Sequence, residues 1–189
     1  MDREKIFSEI NKKAIVITGG PGMGKTSVID WLRNAGHQVI PESGRDIIQK
    51  ELKAGGNKLP WADRQGFAEE MFARAIADFD QAFFDNNVQT FFDRGIPDII
   101  GYLMLCELPV PDKMLIAAKN RRYYQKVFIA PPWEEIYERD EERKQSFDEA
   151  SATYEVMYRI YTDLGYSLVE LPKLSIEKRA AFILNEVTD

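Results

Sequence analysis

The stretch Ala14-Ile15-Val16-Ile17-Thr18-Gly19-Gly20-Pro21-Gly22-Met23-Gly24-Lys25-Thr26-Ser27 joins an apolar, β-branched run to the spacing GxxxxGK[ST], which occupies Gly19 to Thr26. Each part of that spacing has a physical task. Glycines let successive backbone N–H groups curl around the α- and β-phosphates of a nucleotide, the lysine ammonium reaches the β- and γ-phosphates, and the threonine hydroxyl ligates Mg²⁺. The residues before the loop predict a strand. Those after it predict a helix starting at Gly24, with Val28, Ile29, Leu32 and Ala35 on one face and Gly36 as its stop. Bound phosphates would therefore meet a helix N-terminus and the positive end of its dipole. Nucleotide binding is expected, with Gly19, Gly20, Pro21, Gly22, Met23, Gly24, Lys25, Thr26 and Ser27 as the contacting residues.

Outward from the loop, four more β-type runs follow: Gln38 to Ile40, Thr90 to Phe92, Lys126 to Ile129 and Ser167 to Glu170. Helical patterns separate them. Asp46 to Lys53 and Ala62 to Phe84 read as two helices, the second with Phe67, Met71, Ala75 and Phe79 on one face. Pro97 opens a helix through Leu105, and another spans Asp112 to Lys119. Tyr154, Met157, Tyr158, Tyr161 and Leu164 form a stripe expected to pack in the core, and Ile176 to Val187 is the last amphipathic helix. Alternating strands and helices indicate a parallel α/β sheet covered on both faces. No repeat or linker divides the chain. A single domain over residues 1–189 is expected, with 1–13 as an N-terminal extension and a charged, lid-like segment over 133–147.

With 44% apolar and 12% aromatic residues, the 189-residue chain can bury one substantial core. A formal charge of −6 argues against nucleic acid or an anionic membrane as partner, since both reward a large basic field. Phosphate must then be held by locally placed charge. The single cysteine, Cys106, lies in an apolar run and is expected to be a small core residue. It cannot form an intramolecular disulfide, which suits a reducing compartment. The N-terminal MDREKIFSEINKK is charged throughout, and no run approaches the ~20 apolar residues of a membrane span, so a cytoplasmic location is expected. Monomer and homodimer both stay open.

Ligands of an open α/β sheet collect at the carboxyl ends of its strands. The second strand runs into Pro41-Glu42-Ser43-Gly44-Arg45, which would put Glu42 beside the γ-phosphate, able to receive or hydrogen-bond an acceptor hydroxyl. A solvated turn or a Glu42–Arg45 salt bridge is the alternative reading. The third strand ends in Asp93-Arg94-Gly95, the pattern of a Walker B element. Asp93 would hold Mg²⁺ opposite Thr26, with Arg94 as a phosphate clamp. Asp98 falls in the first turn of the Pro97 helix, where the dipole alone favours a carboxylate, and that is its expected role. After the fourth strand, Glu138-Arg139-Asp140-Glu141-Glu142-Arg143-Lys144 reads either as a mobile lid bringing Arg139 and Arg143 onto the transferring phosphate or as an exposed helix laced with ion pairs. His37 precedes the second strand, on the far side from the site, and is expected to be structural.

Taken together, ITGGPGMGKTS, VIPESGRDII, FFDRGIPDIIGY, PPWEEIYERDEERKQSFDEA and the YSLVELP segment resemble the predicted P-loop ATPases filed as an "AAA domain" family. Those proteins are similar to the ribosylnicotinamide kinase domain of bacterial NAD regulators and, more distantly, to thymidylate and deoxynucleoside kinases. The resemblance runs from Ala14 to Val187. It implies a three-layer P-loop NTPase fold with sheet order 2-3-1-4-5, so that the Asp93 strand lies beside the Gly19 strand. It also implies Glu42 as general base, Asp93-Arg94 as the acid–arginine pair, Arg143 as a lid arginine, and Leu171-Pro172 near the nucleotide base. The surroundings of Glu42 lack the wider substrate pattern of deoxynucleoside kinases, so acceptor identity does not transfer.

Nothing in the chain supplies the separate helical lid domain of ring-forming remodelling ATPases. The guanine-reading NKxD motif is also missing, since Asn57-Lys58 continues Leu59-Pro60 and lies far from the fourth strand. ATP is the expected nucleotide, with GTP open. The expectation is a kinase that moves the γ-phosphate of Mg-ATP to a nucleoside-like or other hydroxyl-bearing small molecule, using Lys25, Glu42, Asp93, Arg94 and Arg143. A nucleotide-dependent regulatory protein with slow hydrolysis and no acceptor is the alternative from another class.

Overall fold

In the computed structural model, residues 11–84, 88–137 and 146–187 are described, and they build one parallel sheet between two helical layers. Its strands are β1 (Ala14–Gly19), β2 (Gln38–Ile40), β3 (Thr90–Asp93), β4 (Lys126–Ala130) and β5 (Ser167–Glu170), in the order β2-β3-β1-β4-β5. All five elements anticipated from sequence are present. The helices are α1 (Lys25–Asn34), α2 (Gly44–Ala54), α3 (Arg64–Phe84), α4 (Ile96–Leu105), α5 (Asp112–Asn120), α6 (Phe147–Asp163) and α7 (Ile176–Glu186).

β1 is the central strand, and Ala14, Ile15, Val16 and Ile17 are wholly buried. Its continuous apolar run, without polar alternation, is the pattern of a strand covered on both faces. Alternate side chains feed two separate cores. Ile15 and Ile17 pack with Val28, Ile29, Leu32, Phe91, Phe128 and the α7 residues Ala180 and Ile183. Val16 packs on the other face with Phe92, Phe79, Ile96, Ile100, Leu103, Tyr123 and Met157. Each fully buried aliphatic or aromatic side chain of this kind contributes about 1.5–3 kcal/mol over its exposed state.

Local chemistry sets the helix ends. Gly24 caps α1 in the left-handed region at φ 73°, so the helix begins at Lys25, one residue after the start expected from sequence. α6 starts on a reciprocal capping box: the Glu149 carboxylate accepts the Ser146 N–H at 2.6 Å, and Ser146 Oγ accepts the Glu149 N–H at 3.2 Å. On that helix the predicted core stripe needs one correction. Met157 and Tyr161 are buried, but Tyr158 is 46% exposed, next in sequence to the buried Met157 and so turned about 100° around the helix from it, with its ring 6.0 Å from that of Tyr154. Cys106 is only partly buried, since it caps the C-terminal end of α4 and does not point along its core face. His37 meets Phe91 edge to face, with ring centroids 5.5 Å apart, at the amino end of β2 and away from the carboxyl ends of the strands. No helix of the described residues is long and apolar enough to cross a membrane.

Candidate active site

Inserting β3 between β1 and β2 decides the geometry. In the β1–β3 register Ile17 faces Asp93, and the Arg94 N–H continues the ladder onto the Ile17 carbonyl at 3.0 Å. Asp93 thus ends its strand where the glycine loop begins. Lys25, Thr26, Glu42, Arg45, Asp93 and Arg94 all line one cleft of about 1120 Å³ at the carboxyl ends of the strands.

The loop itself is wedged between other elements. A Cβ on Gly20 would lie 2.2 Å from the Ala150 carbonyl oxygen at the start of α6, so only glycine fits there. Gly19 and Gly20 are buried behind the cleft, and Met23 sends its side chain into the core at 1% exposure, leaving only its backbone for phosphate. Pro21, Gly22, Gly24 and Ser27 line the cleft wall.

Lys25 is buried, and its Nζ donates to the Gly20 carbonyl at 2.6 Å, which holds the ammonium over the loop. Burial, and then the nearby Arg94 guanidinium, lower its pKa to about 8. Asp93 moves the other way. Desolvation raises its pKa to about 6, against the pull of Lys25, and its Oδ1 is buried without a hydrogen-bond partner. A lone anionic oxygen bordering a cleft shared with the Thr26 hydroxyl suits a hard cation. Among the described residues no three His, Cys, Asp or Glu side chains cluster to hold a metal, so a cation here would complete its shell with water or phosphate oxygens.

Arg94 adopts φ 74°, which is uncommon for a side-chain-bearing residue, and this turns its guanidinium back across the loop. Nη1 donates to the Gly19 carbonyl at 3.2 Å and to Asp98 Oδ1 at 3.4 Å, while Nε pairs with Glu42 Oε1 at 3.4 Å. Burial works against the charge, but Glu42, Asp98 and Asp93 outweigh it and hold the guanidinium pKa above the ordinary arginine range. For Glu42, desolvation by the cleft walls is opposed by Arg94 and Lys25, which bring the carboxyl below its usual value. Its side chain remains 40% exposed to the cleft. Glu42 therefore pairs with Arg94 at the end of the neighbouring strand, and Arg45, the partner considered from sequence, adds its positive field at Glu42.

Asp98 departs from the expected dipole role. It is 4% exposed and gathers four donors: the Thr18 hydroxyl, the Gly95 N–H at 2.8 Å, the Tyr161 hydroxyl at 2.6 Å, and Arg94. It does cap α4 through Gly95, but tertiary packing of β1 and α6 against that first turn converts a surface position into a buried hub. Arg179 was not singled out from sequence either. It is 5% exposed, donates to the Gly24 carbonyl at 3.3 Å and lies over the Trp133 ring at 5.7 Å. A charged residue inside the apolar stripe Ile176, Ala180, Ile183 was the available signal. Arg179 also borders a second cleft of about 350 Å³ with Gly24, Ser27, Ile136, Leu174 and Ser175. Pro172 lines neither cleft, because its carbonyl accepts the Leu174 N–H at 2.8 Å and turns the chain so that residues 174–176 form that wall. Arg139 and Arg143 lie outside the described residues.

A strand, glycine loop and helix with an acid at the end of the adjacent strand, in a parallel sheet of order 2-3-1-4-5, define a P-loop nucleotide-binding fold of the kinase-like branch. The chain belongs to the family described as "AAA domain", whose model matches residues 14–179. No curated protein sequence matches it. Among solved structures it is similar to deoxyadenosine kinase from M. mycoides with the products dCMP and dCDP bound, at 13% identity and a TM-score of 0.66, covering 93% of this chain and 98% of that one. It is also similar to the NadR protein in complex with NR, at 19% identity and a TM-score of 0.65, over 94% of this chain and 53% of NadR. Shikimate kinase from Acinetobacter baumannii in complex with shikimate aligns at 17% identity with a TM-score of 0.55, over 98% of this chain and 97% of that one. At these identities the likeness is one of fold.

Proposed function

We propose that this protein is a small-molecule kinase that transfers the γ-phosphate of ATP to a hydroxyl group. One observation carries the reading: Lys25, Glu42 and the adjacent Asp93 and Arg94, from three separate segments, converge on one cleft, with Glu42 held by Arg94 yet open to solvent. Lys25 and the loop amides bind and orient the β- and γ-phosphates. Thr26 and Asp93 are the residues that would hold Mg²⁺, which when bound neutralises charge between phosphate oxygens. Arg94 clamps the transferring group, and Glu42 orients the acceptor hydroxyl and takes up its proton. Arg179 and Trp133 flank the second cleft, where the nucleotide base would lie.

The experiment that tests this reading incubates the chain with γ-labelled ATP, Mg²⁺ and a panel of nucleosides, ribosides and other alcohols. Label in an acceptor is expected. Release of label only as free phosphate across the panel would overturn the kinase in favour of a hydrolysing switch.

Lys25 supplies a pH signature. With its pKa at about 8, about half of the ammonium is neutral at pH 8 in the free chain. Phosphates favour the charged form, so nucleotide binding takes up about half a proton per site at pH 8, and the uptake fades as pH falls toward 6.5. Calorimetry in buffers of different ionisation enthalpy reads this directly. Zero uptake at pH 8, or the same uptake in Lys25→Met, contradicts the assignment.

A further inference from the structure

Arg94 is held at the cleft but not locked there. Its side chain lines the wall, 20% exposed, and the contacts it makes are long: 3.2 Å to the Gly19 carbonyl, 3.4 Å to Asp98 and 3.4 Å to Glu42. Nε is buried and makes no hydrogen bond, so its pair with Glu42 is electrostatic only. An arginine between two carboxylates ordinarily closes on one of them in a bidentate pair of about 2.7–2.9 Å. What keeps this one open lies on the far side of Asp98.

Both oxygens of the Asp98 carboxylate are occupied by neutral donors. Oδ1 accepts the Thr18 hydroxyl of β1, and Oδ2 accepts the Gly95 N–H at 2.8 Å and the Tyr161 hydroxyl of α6 at 2.6 Å. Thr18 and Tyr161 are wholly buried, so water cannot take the place of either hydroxyl. Burial, and then the Asp98 charge, push the Tyr161 pKa well above its ordinary value, which keeps that hydroxyl protonated and donating. A carboxylate offers about four lone-pair sites, and neutral donors fill all but one of them before Arg94 arrives. Arg94 Nη1 takes the last at 3.4 Å, on the oxygen it shares with Thr18.

The turn between β3 and α4 is built around the same contact. Its first residue, Arg94, stands at φ 74°. A Cβ on Gly95 would lie 2.9 Å from the Tyr161 hydroxyl and 3.1 Å from the Tyr123 ring, and the Tyr123 hydroxyl accepts the Ile96 N–H at 3.2 Å. A sparsely populated backbone conformation persists where its neighbours over-determine it, and such positions gather at functional sites. Tyr161 grips this turn from α6 without lining the cleft itself.

We infer that Thr18 and Tyr161 are positioning residues for phosphoryl transfer: by saturating Asp98 with neutral donors they keep its charge from drawing Arg94 into a tight ion pair. The guanidinium is thereby left free to clamp the transferring phosphate. This rests on the phosphoryl-transfer reading above and goes beyond it, extending the working site to two buried hydroxyls that lie outside the cleft. With either hydroxyl gone, Asp98 regains a lone pair that the neighbouring Arg94 takes. The guanidinium then closes on Asp98 and turns away from Glu42 and from the phosphate.

The test follows loss of γ-phosphate from Mg-ATP in the full chain, both to the acceptor panel and to water. Tyr161→Phe is expected to lower turnover about tenfold while the KM for ATP stays within about threefold of the parent, since Lys25 and the loop amides are untouched. Tyr166→Phe is the matched control. Its ring lies 5.4 Å from that of Tyr161, but its hydroxyl accepts the Tyr123 N–H at 3.2 Å, so it lowers the melting temperature comparably and leaves turnover unchanged. In an Arg94→Met chain, adding Tyr161→Phe changes turnover by less than about twofold, because the residue it acts through is gone. Thr18→Val is the second variant, with the same loss of turnover and the same silence beside Arg94→Met. Full turnover in Tyr161→Phe or Thr18→Val, a raised KM in place of lowered turnover, an equal loss in Tyr166→Phe, or a loss that persists beside Arg94→Met overturns the inference. The destination of the label judges the kinase separately. The expected pattern seen on free phosphate alone sinks the kinase and leaves the positioning role standing, whereas labelled acceptor with an indifferent Tyr161→Phe does the reverse. A parent chain that loses no γ-phosphate in either form overturns both.

Discussion

Glu42→Gln lowers phosphoryl transfer by about 10²–10⁴-fold, while ATP affinity stays within about threefold of the parent chain. The expectation follows from where Glu42 sits. Its carboxyl is held below the usual range by Arg94 and Lys25, so it is ionised at neutral pH and can accept a hydroxyl proton. The amide keeps the shape and part of the hydrogen bonding but cannot take the proton. Arg94 keeps Asp98 as its other carboxylate partner, so the clamp is not lost with the charge. The ion-pair partner of Glu42 is Arg94 and not a loop amide, which is why donor affinity is spared. Steady-state rates with a confirmed acceptor and equilibrium ATP titration measure the two halves separately. A turnover within about threefold of the parent would place Glu42 outside the chemistry and favour a switch in which no acceptor is used.

Asp98→Ala destabilises the fold by about 3–5 kcal/mol, a fall of roughly 10 °C in melting temperature for a chain of this length. Four donors converge on this carboxylate from β1, α4, α6 and the Arg94 side chain, and the site is 4% exposed, so water cannot replace what is removed. Arg94 suffers twice. It loses a counter-charge at 3.4 Å and the anchor that helps keep its backbone at φ 74°. Asp98→Asn retains an acceptor for the neutral donors and is expected to cost less than half as much. Urea denaturation of the three chains, followed by circular dichroism, ranks them. A midpoint for Asp98→Ala equal to that of the parent would show that the hub is replaceable.

The site was legible in the sequence to the extent that its chemistry is local. The spacing of Gly19 to Thr26 spells out a phosphate loop because adjacent residues make the cradle, and Asp93-Arg94 stands out because an apolar strand ends in charge. Glu42 could be suspected from its place after β2, but its partner could not. Arg45 is near in sequence, whereas Arg94, 52 residues away, reaches Glu42 at 3.4 Å because β3 pairs directly with β2 through Val39 and Phe91. Asp98 was read as a helix-end carboxylate because the sequence shows its own first turn and not the Thr18 and Tyr161 hydroxyls that arrive from 80 and 63 residues away. Arg179 escaped notice for the same reason, its contact with Gly24 spanning 155 residues.

By itself the sequence determined the alternation of strands and helices, the phosphate loop and the acids and arginines at strand ends, since each depends on side-chain periodicity or on neighbours a few residues apart. Sheet order followed only by resemblance. Tertiary structure alone decided which charges pair, which carboxylate is buried, and that Trp61, Phe67 and Tyr102 line one cleft, because those facts depend on how distant segments pack, and packing is a property of the whole core.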